Sequence, residues 1–253
     1  MTPDAEKPLA GGEVPLAGGT MNAVVRVGET VRRPAGAWTP TVHALLAWVR
    51  AHGVDGVPAP LGLDGQGREV LTYVPGVVGG WSDADWTWAP AVLADAARLL
   101  RAWHDASVGF PRDGAVWRAA AHEPAEVVCL NDGAPYNMVG GPDGLAGFID
   151  VDMASPGPRV RDLAYLAYRL CPFAEDAAPP AGTDPHARLA ALVAAYSALP
   201  GATVHAADVL AAIPPRLLDL ADFSEARAAS AGRADLRDHA AMYRRDAARL
   251  ARA

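Results

Sequence analysis

The chain has 253 residues, 51% hydrophobic and 20% charged, with a net charge of -7. This is the composition of a globular protein with room for one large domain or two small ones, and its acidic balance argues against wholesale binding to nucleic acid or to an anionic membrane surface. No apolar run approaches the roughly 20 residues of a membrane helix, and the first residues lack the basic-then-apolar pattern of a secretory leader, so a cytoplasmic protein with no nucleic-acid or membrane partner is expected.

Cys129 and Cys171 lie far apart and form neither a metal-type nor a redox pair, which leaves two buried free thiols as the expectation. Of the 22 basic residues only Lys7 is a lysine. A Walker-type P-loop and a Schiff-base mechanism both need a lysine well inside the fold, so both are excluded.

In chain order, Asn22 to Val27 and Glu29 to Arg33 read as two short strands joined at Gly28. Thr39 and Pro40 open an amphipathic helix that reaches about Arg50, with Thr39 as N-cap and proline at the first helical position. Pro60 to Leu63 and Glu69 to Val74 form a second strand pair around a Gly-rich turn. Near residue 76 the pattern turns helical. Pro90 to Ser107 carries one apolar face through Val92, Leu93, Ala96, Leu99, Leu100 and Trp103. Further helices are expected over Arg161 to Leu170, His186 to Leu199, Ala206 to Asp222 and from Arg233 to the C-terminus.

The chemistry sits between these helical blocks. Asp132 and Asn137 have the D-x-x-x-x-N spacing of a kinase catalytic loop, where the aspartate accepts the proton of the acceptor hydroxyl and the asparagine binds magnesium. The run Gly140-Gly141-Pro142-Asp143-Gly144 then turns the chain, and a hairpin centred there brings Asn137 beside Asp150. An amide oxygen with one or two carboxylates at a strand end suits magnesium on nucleotide phosphates, and Asp152 faces the same side as Asp150 if the strand continues. Turn-forming and strand-ending roles explain any one of these residues alone. Taken together, between apolar flanks, they favour phosphoryl transfer. A hydrolase reading is poor and is set aside, since the chain has no G-x-S-x-G, no H-E-x-x-H and no cysteine in a nucleophile setting.

The stretches Leu130 to Asn137 (LNDGAPYN), Phe148 to Asp152 (FIDVD) and Gly157 to Tyr165 (GPRVRDLAY), with Arg98 to His104 upstream, resemble the aminoglycoside phosphotransferase and choline kinase-like family. The resemblance implies an α+β, bilobal, protein kinase-like fold. Residues 1–75 would form a small antiparallel β-sheet N-lobe, and residues 76–253 a larger, mainly helical C-lobe. It implies ATP or another nucleoside triphosphate and Mg2+ as cofactors, and a small-molecule acceptor as partner. Asp132 would be the catalytic base or hydroxyl-orienting residue; Asn137 and Asp150 would bind the metal with Asp152 as a supporting carboxylate. Asp162 would brace the loop, and His104 would have no catalytic role. Two positions depart from the family pattern: Leu130 replaces the loop histidine, and Arg32 is taken to replace the phosphate-binding lysine, aided by the backbone of Gly18 and Gly19. The expected activity is transfer of the ATP γ-phosphate to a small-molecule hydroxyl, with a cationic antibiotic such as an aminoglycoside as candidate acceptor. The alternative is a catalytically weak relative that binds nucleotide or a small molecule for immunity or sequestration.

Overall fold

A computed structural model of the chain describes residues 12–16, 24–80, 85–141 and 143–252. Its N-terminal part holds β1 (Val14–Pro15), β2 (Val25–Val27), β3 (Thr30–Pro34), α1 (Thr39–Ala51), β4 (Pro60–Leu63) and β5 (Arg68–Thr72). The strands form one antiparallel sheet in the order β1-β2-β3-β5-β4. Gly28 supplies the positive φ of 58° that closes the β2–β3 turn. The expected strand starting at Asn22 begins, within the described residues, at Val25.

Helix α1 lies where its periodicity predicts, burying Val42, Leu45, Leu46 and Val49. Thr39 is its first helical residue, however, and not its cap. Trp38 takes the N-cap position, and the Thr39 hydroxyl accepts the Gly36 N–H at 2.9 Å, closing the loop ahead of the helix.

The remainder contains β6 (Val77–Val78), α2 (Pro90–Ser107), β7 (Val127–Cys129), β8 (Met138–Gly141), β9 (Gly144–Phe148), β10 (Ser155–Gly157), α3 (Arg159–Leu170), α4 (Pro185–Tyr196), α5 (Ala206–Ala231) and α6 (Asp235–Leu250). Strands β6, β8 and β9 make a three-stranded antiparallel sheet, while β7 pairs with β10. One departure from the sequence pattern is the length of α5. It runs through Pro214 and Pro215 and past Asp222 because Ile213, Leu217, Leu220, Ala221 and Ala228 on both sides of the prolines are buried, and it stops only where Gly232 turns left-handed at φ 65°.

The core is continuous between the two parts, with Trp103, Tyr165, Tyr168, Leu166, Phe148 and Met138 fully enclosed at its centre. The β8–β9 hairpin touches the N-terminal part directly: Phe148 donates its N–H to Gly56 O at 2.9 Å, and a Cβ on Gly147 would stand 2.6 Å from that same oxygen. Both cysteines are free and buried, as expected. No helix of the described residues is long and apolar enough to cross a membrane.

Trp103 fills the interior of α2 and donates its indole N–H to Val128 O at 2.7 Å, fixing β7 against the helix. Trp103→Ala should therefore reduce the unfolding free energy by about 3–5 kcal/mol, through lost transfer energy, a cavity and an unpaired carbonyl. Urea denaturation reads this loss; a change below about 1 kcal/mol would show that the core closes over the gap.

Candidate active site

Strand β7 delivers the chain to Leu130 and Asn131, where the backbone bends sharply. Asn131 takes a left-handed φ of 63°, a costly conformation for a residue with a side chain. Asp162 on α3 holds the bend. Its Oδ2 accepts the Leu130 N–H at 2.6 Å and its Oδ1 the Asn131 N–H at 2.7 Å, while His104 Nε2 meets Oδ2 at 3.0 Å. Asp162 thus braces the loop, with Pro158 at the N-cap of its own helix. His104, locked between Asp162 and Tyr196, is enclosed in the core. Asn131 also reaches across to the segment beyond Asp150, donating from Nδ2 to Met153 O at 2.9 Å and Ser155 Oγ at 2.8 Å.

One residue on is Asp132. A proline-opened 3-10 turn, Pro135–Asn137, folds the following side chains back over it. The Tyr136 hydroxyl donates to Asp132 Oδ1 at 2.6 Å, and Asn137 Nδ2 donates to Oδ2 at 2.9 Å. The Tyr136 hydroxyl in turn meets that of Tyr165 at 2.9 Å. Burial pushes the Asp132 carboxyl up to about 6 and the charge of Asp150 adds to the rise, against the opposing pull of the Tyr136 hydrogen bond, Arg216 and Asn137. Such a group is ionised at neutral pH and still basic enough to take a hydroxyl proton.

The hairpin works as its turn signal predicts. Met138 pairs with Phe148, and the Ile149 N–H donates to Asn137 O at 2.8 Å, so Asn137 and Asp150 leave the same end of the hairpin as neighbours. Asp150 then adopts a left-handed φ of 56°, and Val151–Met153 coil into a 3-10 turn. This overturns the expected position of Asp152. Because the strand ends at Phe148, Asp152 does not share the face of Asp150. It turns inward and is buried, with Oδ1 on Arg33 Nη2 at 2.5 Å and Oδ2 on Arg118 Nη1 at 3.1 Å. It supports Arg33 and Arg118 behind the site.

The cation at this site is Arg33, where the sequence reading put Arg32. Successive residues of β3 point to opposite faces. Arg32 is half-buried on the other face, 3.8 Å from Asp64, whereas Arg33 is buried with Nε on Glu69 at 2.6 Å, Nη1 on Asp150 at 2.6 Å and Nη2 on Asp152. The register sets this choice, since Arg33 lies directly opposite Glu69 in the sheet. Helix α1 has no acid to pair with the cation; it contributes His43, 3.0 Å from Glu69. Burial alone would lower the Arg33 pKa, but its three carboxylates raise it, and it stays charged. Gly18 and Gly19 lie outside the described residues.

The donor set fits a magnesium ion. No hydrogen bond within the described residues engages Asn137 Oδ1 or Asp150 Oδ2, and the Asp150 side chain is 49% exposed. These are hard, oxygen-only donors at the open end of a hairpin. Asp132, Asn137, Asp150 and Arg33 therefore belong to one constellation, joined by Tyr136, Glu69 and Arg118, which the sequence reading did not assign. A basic residue facing an acidic one across paired strands was the available signal for Arg33 and Glu69.

The raised Asp132 carboxyl has a stability consequence. The native state holds the proton more tightly than the unfolded chain, so the ionised form costs stability above about pH 6, and that cost fades as pH falls towards the ordinary carboxylate range. Asp132→Asn should accordingly be more stable than wild type by about 1 kcal/mol at pH 8, with the advantage lost near pH 4. Thermal unfolding across that range checks it; an equal or lower stability at the alkaline end contradicts the assignment.

Known proteins resemble the chain in part of its sequence and in its fold. Residues 112–184, which contain the Leu130–Asn137 loop, the hairpin and α3, match the model of a phosphotransferase enzyme family, APH. The trifolitoxin immunity protein of Rhizobium leguminosarum bv. trifolii is 31% identical over 154 residues, and the match spans 57% of this chain and 56% of that relative, little more than half its length. Among solved structures, a choline/ethanolamine kinase family protein from Mesorhizobium loti superposes with a TM-score of 0.69 at 17% identity, covering 96% of this chain and 89% of the other. The GDP complex of aminoglycoside 2'-phosphotransferase-IIIa gives 0.61 at 12% identity, covering 98% and 94%. The chain thus has the bilobal kinase-like fold of the choline kinases and aminoglycoside phosphotransferases, and its central segment carries the signature of the phosphotransferase enzyme family.

Proposed function

We propose that this protein transfers the γ-phosphate of ATP to a hydroxyl of a small molecule. The observation that carries the reading is the juxtaposition of a base with a raised carboxyl pKa, Asp132, and the open oxygens of Asn137 and Asp150, with the buried cation Arg33 beside them. Magnesium on those two oxygens would neutralise charge on the nucleotide phosphates. Asp132 accepts or orients the acceptor hydroxyl proton, while Asn137 Nδ2 and the Tyr136 hydroxyl fix its carboxylate. Arg33 positions Asp150 from the sheet that would cover the nucleotide.

The chemistry leaves the acceptor open, and the acidic helix faces do little to favour a cationic antibiotic. Asp219 is paired with Arg161, Asp222 and Glu225 with Arg244, and Asp235 with Arg233, so these carboxylates are already matched by arginines. A second reading, a non-catalytic binder with an immunity role, draws support from the name of the Rhizobium relative and from Leu130 in place of the loop histidine. Turnover separates the two readings.

Magnesium-dependent ATP consumption should appear with at least one member of a panel of aminoglycosides, other antibiotics, amino alcohols, hydroxy acids and sugars. It should decline as pH drops below about 6, where Asp132 takes up its proton, and Asp132→Ala should lower kcat by a factor of about 100 or more. Turnover that is absent with every acceptor, or indifferent to the substitution, would leave the binding role as the correct reading.

A further inference from the structure

Helix α1 lies in the N-terminal part of the chain, yet it is anchored to the rest of the molecule. The Trp48 indole N–H donates to Ala106 O in α2 at 2.9 Å, the Thr41 hydroxyl accepts the Val116 N–H at 2.9 Å, and the helix runs beside the Val151–Met153 turn. Among the described residues, the side chain of α1 that reaches the sheet with a hydrogen bond is His43, which is 15% exposed.

His43 Nε2 stands 3.0 Å from Glu69 Oε2 on β5. A carboxylate only accepts, so the ring presents Nε2–H to it. Glu69 is 1% exposed, and this is the one hydrogen bond that its carboxylate makes among the described residues. Its other oxygen, Oε1, lies 2.6 Å from Arg33 Nε, but neither atom of that pair has a hydrogen-bond partner, so the approach is held by charge and not by direction. Such a contact leaves the angle of the carboxylate open, and the His43 bond fixes it. The same guanidinium then reaches the site, with Nη1 on Asp150 Oδ1 at 2.6 Å, while Asp152 has a second arginine, Arg118, at 3.1 Å. A line of side chains, His43, Glu69, Arg33 and Asp150, thus leads from α1 to the half-exposed carboxylate, and its directional link to the helix is His43.

We propose that His43 is a positioning residue for the metal site: it orients Glu69, Glu69 sets the place of Arg33, and Arg33 presets Asp150 with its second oxygen open. Loss of a direct partner of a metal ligand typically costs about 10–100-fold in metal affinity, and His43 acts through two intermediates, so the lower end, about tenfold, is the expectation. The effect falls on magnesium-assisted nucleotide binding and spares the binding that a nucleotide achieves without the metal. The inference rests on the phosphotransferase reading for the metal role of Asp150.

Calorimetric ADP titrations of the full chain across a magnesium series should compare wild type with His43→Leu, which keeps the apolar contacts and loses the donor, and with His43→Gln, whose amide N–H stands in for Nε2–H. The magnesium concentration that gives half of the tightening of ADP binding should rise about tenfold in His43→Leu and return to within about threefold of wild type in His43→Gln, while ADP affinity without magnesium changes less than about twofold in both. Should His43→Leu fail to fold, His43→Asn, with the same amide too short to reach Glu69, should show the same rise. A half-point within about twofold of wild type in the variant without the donor overturns the proposal. So does an equal rise in His43→Gln, or a parallel loss of magnesium-free affinity, because either marks a packing role. Wild type that binds ADP with no magnesium effect overturns the metal role of Asp150 and the proposal together. The expected rise in His43→Leu, with no phosphoryl transfer by wild type to any acceptor of the panel, leaves the positioning role in place and counts against the kinase activity.

Discussion

A single guanidinium, that of Arg33, ties the sheet to the segment that carries Asp150 and Asp152. It leaves β3 opposite Glu69, crosses to the turn after β9, and engages Asp150 and Asp152 with separate nitrogens. Loss of Arg33 would leave the buried carboxylates of Glu69 and Asp152 without this partner, a change that typically costs about 3–5 kcal/mol, so the guanidinium holds these acids in place. Asp150 is thereby fixed with one oxygen on the arginine and the other open. The shape of the proposed metal site follows from this constraint, as does the inward turn of Asp152.

The loop that carries Asp132 is secured by a second network. Leu130 stands where the resembling family has a histidine that links the catalytic and metal segments. Here Asn131 makes that link with its side chain, through Met153 and Ser155, while Asp162 holds the backbone of Leu130 and Asn131. Asn131 is left-handed and carries Arg216 on its carbonyl, and Leu130 is buried beside it. The segments that Leu130 leaves without a polar link are joined by Asn131 and Asp162.

What the sequence made legible was local. Period and punctuation located α1, α2, α3 and the β8–β9 hairpin, and the fold brings together Asp132, Asn137 and Asp150, whose spacing the sequence displays. Features set by register or by distant packing were not legible. Two adjacent arginines on one strand look alike until pairing with β5 decides which faces inward. Asp152 was misplaced because nothing in FIDVD signals that Asp150 leaves the strand in a left-handed conformation. Arg216 comes to the loop from a helix more than eighty residues downstream, across a Pro-Pro step that local rules take as a break.

Calorimetric ADP affinity as a function of magnesium, for wild type and Asp150→Ala, tests the central claim that Asn137 and Asp150 form a metal-assisted nucleotide site. The account predicts that magnesium tightens ADP binding to wild type severalfold and leaves Asp150→Ala unchanged. Equal magnesium dependence in both proteins, or none in wild type, would contradict it.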